Sequence, residues 1–118
     1  MEKVVKTSEI VIQVGLNEEQ VPVDIKWRSD DNPDFSELQD SKAMILALFD
    51  RQNKETLRID LWTKDMQIEE MDRFFFQSLK AMADTYYKAT QNSKLASEMQ
   101  RFVHFFGEQT EIIPKSEG

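Results

Sequence analysis

The stretch Thr56 to Asp65, TLRIDLWTKD, constrains the fold of this chain more than any other. Leu57, Ile59 and Leu61 alternate with Arg58, Asp60 and Trp62, the period of two expected of a half-buried strand. The first set is expected to be core and the second to face outward. The polar TKD that closes the stretch leads into a long helical pattern, so the strand should pair with sheet upstream and be covered by helix downstream.

Upstream, Ile10, Ile12 and Val14 alternate with Glu9, Val11 and Gln13, which marks a first strand. After the polar GLNEEQ, Val21, Val23, Ile25 and Trp27 alternate with Pro22, Asp24, Lys26 and Arg28, a second strand and the other arm of an antiparallel hairpin. Pro22 has no amide donor and belongs at a strand start or on an edge. SDDNPD, Ser29 to Asp34, is a loop by its turn formers. Beyond it the apolar run KAMILALFD predicts a buried helix, entered around Ser36 to Ser41 and ending near Asp50. RQNKE then returns the chain to the strand at Thr56, whose pairing, parallel or antiparallel, this order leaves open.

Downstream, Ile68, Met71, Phe75, Leu79, Met82, Ala83 and Tyr86 recur at three- and four-residue steps, predicting a helix from about Gln67 to Ala89 with Glu69 and Glu70 at its positive end. Ser93 is a candidate cap for a second helix, whose stripe is Leu95, Met99, Phe102, Val103 and Phe106. The pair Ile112 and Ile113 before Pro114 suggests a short extended tail. The order is ββαβαα: an α+β fold, with a small three-stranded sheet and helices packed on one face. At 118 residues the chain is read as a single domain, with an ordered core over about 6–112. A chain of that size removes roughly 65% of its unfolded surface from water, enough for a real core.

Charge and composition narrow the function. With 22 acidic against 15 basic residues the net charge is −7, which disfavours a nucleic-acid backbone or an anionic membrane surface as partner. Cysteine is absent, removing disulfides, thiol nucleophiles and thiolate metal sites. No segment offers the ~20 apolar residues of a membrane span, nor does the N-terminal MEKVVKTSE have the apolar run of a signal peptide. The chain is therefore expected to be cytoplasmic. Three glycines in the whole chain build no phosphate-binding loop.

No catalytic constellation stands out, and no enzyme activity, cofactor or metal is expected. His104 has neither a cysteine nor a second histidine with which to ligate a metal. Asp60, Asp65, Glu69, Glu70 and Asp72 are explained by a helix start and by pairing of Asp60 with Lys26 or Arg58. Asp30, Asp31 and Asp34 lack the spacing of a calcium loop. The candidate partner-binding residues are Lys26, Arg28, Arg58, Asp60 and Trp62 on the outer sheet face, because an arginine beside an exposed tryptophan is the pairing most enriched at interface hot spots. Phe74 and Phe105 join them, since both fall off the apolar stripes of their helices and point to self-association there. The competing class is a ligand-binding or metal-assisted module with a pocket between sheet and helices.

The run ETLRIDLWTKDM, Glu55 to Met66, followed by Glu70, Met71, Phe74, Phe75, Ala81, Met82, Ala83 and Asp84, resembles the gliding-motility protein GldC family of Bacteroidota. The N-terminal TSEI and the segment Lys42 to Asp50 are similar in place and character, so the likeness covers roughly Lys6 to Ile112. The family brings no catalytic motif to transfer. The resemblance implies a small non-enzymatic cytoplasmic protein supporting surface-adhesin gliding and the associated type 9 secretion system, with protein partners in that machinery.

Overall fold

The computed structural model describes residues 2–115. The chain divides into two compact units, Met1–Met66 and Gln67–Gly118. The first is all β apart from one short turn of 3-10 helix, and the second is a pair of α-helices, so the α+β class holds.

In the first unit β1 (Ile10–Leu16) pairs antiparallel with β2 (Pro22–Ser29). The register puts Val14 opposite Ile25 and Ile12 opposite Trp27, so the two alternating patterns coincide on one face. Ile25 is the most buried large side chain, at 1% exposure. Asn17 shapes the turn between the strands. Its side-chain oxygen accepts from the amides of Glu19 and Val21, and Gln20 takes the left-handed conformation at φ 65°. A 3-10 turn, Pro33–Phe35, is capped by Asn32 and brings the Phe35 ring to 5.0 Å from that of Trp27.

The segment expected to be a helix over Ser36 to Asp50 is two strands instead. β3 (Gln39–Ser41) completes a three-stranded sheet in the order β1-β2-β3, and β4 (Ala43–Phe49) pairs antiparallel with β5 (Thr56–Trp62) in a separate two-stranded ribbon. There are therefore two small antiparallel sheets rather than one of three strands. The segment AMILALF carries apolar side chains at both parities, so its sequence has no period to separate strand from buried helix. Its neighbour decides the matter. Asp50 and Glu55 close the hairpin with an amide-to-carbonyl bond of 2.8 Å, and Lys54, at φ 56°, supplies the tight return. The Asp50 carboxylate accepts from the amides of Gln52 and Asn53, a use of aspartate that favours turns. β5 is thus antiparallel to the strand directly before it, and no crossover helix is involved.

Only Lys42 separates β3 from β4, and the chain passes from one sheet to the other there. The Thr63 amide donates to the Lys42 carbonyl at 2.7 Å, and the Lys64 amide to that of Pro22 at 3.0 Å. Thr63 is buried, and its hydroxyl donates to Asp65 at 2.6 Å. This bond, and then nearby Lys42, hold the Asp65 carboxyl below the usual carboxylate range.

The second unit is an αα-hairpin of α1 (Ile68–Thr90) and α2 (Ser93–Gln109). The Gln67 amide donates to the Glu70 carboxylate at 3.0 Å, satisfying one of the free donors at the start of α1. Gln91, left-handed at φ 59°, ends it. Asn92, rather than Ser93, caps α2 by accepting from the Leu95 amide. The residues buried in this unit are small: Ala83, Ala96, Val103 and Gly107. Gly107 allows a close approach, because a Cβ there would lie 2.6 Å from the Phe76 ring and 2.9 Å from Ile113. The tail does not run on as an extended segment. Glu111 turns left-handed, and the amides of Ile112 and Ile113 both bond back to the Gly107 carbonyl.

Candidate functional site

The β4–β5 ribbon separates its side chains by cross-strand register. Met44 faces Leu61, Leu46 faces Ile59 and Leu48 faces Leu57, which makes one face wholly apolar. On the other, Ala43 faces Trp62, Ile45 faces Asp60, Ala47 faces Arg58 and Phe49 faces Thr56. The alternation at Thr56 to Trp62 is therefore real, but it does not bury its apolar half. Leu57 is 66% exposed and Ile59 52%, and only Leu61 is part-buried. A two-stranded ribbon has no opposing layer of its own, so periodicity sets the faces without covering either.

The mixed face holds three of the expected contact residues together. Arg58 Nε lies 2.7 Å from Asp60 Oδ2, fixing the partner that sequence left between Arg58 and Lys26. Trp62, 55% exposed, stands beyond Asp60, and Phe49, at 69%, lies opposite Thr56 at the other end. The arrangement is a charge pair between two exposed aromatic rings. Phe49 and Ile45 escaped sequence reasoning because their segment was assigned to a helix. The turn-forming DRQNKE before Thr56 was the signal that could have placed them, since it joins two apolar runs as a hairpin.

Lys26 and Arg28 lie on the other sheet of the unit, so the five outer-face residues are not one strand-paired surface. Lys26 bonds to Asp40 across the strands and lies 3.3 Å from Asp24, and both carboxylates raise its pKa, Asp40 the more. Arg28 pairs with Asp30 at 2.5 Å. These cations are neutralised within their own sheet, which leaves the ribbon as the more distinctive surface.

In the helical unit the ring contacts run along each helix. Phe74 is part-buried and meets Phe75 edge-on at 6.2 Å, whereas Phe75, assigned to the core stripe, is 39% exposed. Phe105 is 55% exposed, 6.3 Å from the equally exposed Phe102. An apolar groove of about 530 Å³ follows one flank of the helix pair, lined by Leu79, Tyr86, Leu95, Met99, Phe102 and Val103 with Glu98 at its rim. The opposite flank has a smaller, more polar cleft of about 300 Å³ that includes Lys80, Asp84 and His104. His104 Nε2 lies 2.9 Å from Glu108, one helical turn on. Among the described residues no group of three or more His, Asp or Glu is arranged to hold a metal ion. Among the same residues no helix is long and apolar enough to cross a membrane.

Comparison with known proteins adds the family. Residues 22–112 match the family model described as gliding motility-associated protein GldC-like, a span that takes in β2 to β5 and both helices. The chain belongs to the GldC-like family. No curated protein and no solved structure matches it. Membership ties the chain to gliding motility and agrees with the resemblance carried by Glu55 to Asp84. The matched span begins at Pro22 and so includes all of the β4–β5 ribbon and the candidate residues on it.

Proposed function

We propose that this GldC-like protein is a non-enzymatic interaction subunit of the gliding machinery and the type 9 secretion apparatus linked to it. It acts in the cytoplasm by holding a protein partner on the mixed face of the β4–β5 ribbon. The observation that carries the reading is the exposed pair Trp62 and Phe49 flanking the Arg58–Asp60 ion pair. Aromatic side chains next to arginine give large desolvation energies at interfaces, and a pre-formed ion pair adds orientation. A chain without cysteine is in keeping with a reducing compartment.

Crosslinking and pull-down from a gliding host test it. The wild type should recover a motility or secretion component, and Trp62→Ala should lose that capture while changing unfolding free energy by about 1 kcal/mol or less, as for exposed positions. Wild-type capture of no such component sinks the reading. A second reading, a small-molecule binder, rests on the apolar groove between α1 and α2. Native mass spectrometry of the protein from its host should show a retained apolar ligand if that reading is right.

A further inference from the structure

The free edge of the three-stranded sheet is β1, which with β4 is one of two edge strands that carry neither a charge nor a proline. Ile10–Leu16, IVIQVGL, has no charge and no proline in a chain of which 31% is charged. Natural edge strands are usually guarded by charges, prolines or shortness, because an open row of amides and carbonyls invites another strand. β3, the opposite edge, is three residues long and carries Asp40, and β5 carries Arg58 and Asp60. β1 has only the irregularity between Gly15 and Leu16, at its far end.

The register fixes which groups are open. The Asp30 amide donates to the Glu9 carbonyl, and Glu9 stands in line with the β1–β2 pairing, so Glu9, Val11 and Gln13 spend their backbone bonds on β2. Ile10, Ile12 and Val14 therefore aim their amides and carbonyls at the open edge. Among the described residues no backbone–backbone bond outside the strand ladders reaches them. Ile10 is also 72% exposed and Ile12 38%.

We propose that β1 pairs antiparallel with β1 of a second copy of this chain, about a two-fold axis at Ile12, joining two three-stranded sheets into one of six. An antiparallel edge is self-complementary under such an axis, so one surface serves both copies. With Ile12 on the axis, Ile10 lies opposite Val14 of the second copy, and all three outward positions of each strand are bonded. Val11 then lies opposite Gln13 of the second copy, and Glu9 opposite its Gly15, so no like charges meet. Pairing also covers Ile10 and Ile12 on the apolar face shared with Trp27 and Ile25. The open edge of β4 competes less well, because two of its outward residues are Ala43 and Ala47, weak strand formers, and the ribbon is the less anchored template. An edge pairing of this length is small for a stable interface, so dimerisation is expected to depend on concentration.

Because the chain has no cysteine, single thiols report position directly. Residues directly opposite in such a pair have Cα atoms about 5.5 Å apart, within disulfide reach. Sedimentation from about 10 µM to about 500 µM should show a monomer–dimer equilibrium. Mild oxidation should link Ile12→Cys chains at least tenfold faster than Lys94→Cys chains, with the control on exposed α2. Ile12→Pro, whose lost amide points outward and leaves the β1–β2 ladder bonds in place, should keep the strand signal in circular dichroism and abolish the dimer. A strict monomer over that range overturns the proposal. So does a dimer that Ile12→Pro leaves intact and that crosslinks instead at Ala47→Cys or Phe105→Cys, which would place the interface on the ribbon edge or on the helices. If Ile12→Pro fails to fold, the crosslinking comparison alone decides.

Discussion

The three-stranded sheet and the β4–β5 ribbon are built from the same alternating pattern and end in opposite states. In the sheet, Ile25 is shielded, and Trp27 is covered in part by Phe35. In the ribbon, Leu48, Leu57 and Ile59 keep more than half their surface exposed. Alternation sorts side chains between two faces, but burial needs a further layer. The sheet finds some of that layer in the Pro33–Phe35 turn, whereas the ribbon has no equivalent within its own unit. The contrast assigns stability to the first region and contact to the second.

The largest test of this division compares truncations. Ile25→Ala should cost about 2–5 kcal/mol in urea unfolding, because a fully buried side chain leaves a cavity. Leu57→Ala should change stability by about 0.5 kcal/mol or less. Equal losses would break the comparison and show that the ribbon's apolar face is covered in the folded protein.

A smaller effect should confine itself to the ribbon. Asp50→Ala removes the acceptor of the Gln52 and Asn53 amides, and should cost about 1 kcal/mol. Hydrogen exchange should quicken at β4 and β5 amides while those of β2 keep their protection. Loss of protection in both sheets would mean that they open as one unit.

The smallest effect is acidic. Asp31 is held below the usual carboxylate range by Lys6 and then by Ser8, and Asp65 by Thr63 and then by Lys42. For a carboxylate with a depressed folded pKa, the stabilisation is present in full above the unfolded value, about 3.9. It is lost as pH falls through the folded pKa. Urea midpoints should therefore drop between pH 5 and pH 2. Asp31→Asn should weaken that drop through the link between sheet and N-terminal segment, and Asp65→Asn through the base of the ribbon. Both groups are exposed, so the change should be slight and shrink further in salt.

Much of this was legible beforehand. The β1–β2 hairpin, both helices and the split of Thr56 to Trp62 into two faces follow from periodicity, whereas the Val14–Ile25 and Ile12–Trp27 register came from the structure. The family was legible from Glu55 to Asp84, and the matched span of residues 22–112 agrees with it. The segment Ala43–Phe49 was not, because seven apolar residues carry no phase. That one assignment hid Ile45 and Phe49 from the candidate site and replaced two antiparallel sheets with one. The split of Lys26 and Arg28 from Arg58, Asp60 and Trp62 was hidden for the same reason, since no pattern in the sequence says where a chain changes sheets.

The sequence by itself determined which side chains share a face, because covalent geometry alternates Cβ directions along a strand and repeats them along a helix. Only the tertiary structure decided which faces are covered, since cover depends on a layer supplied from elsewhere in the chain. In Thr56 to Asp65 the two kinds of information part company. Leu57, Ile59 and Leu61 form an apolar face by local rule, and in the folded unit most of that face stays in contact with water.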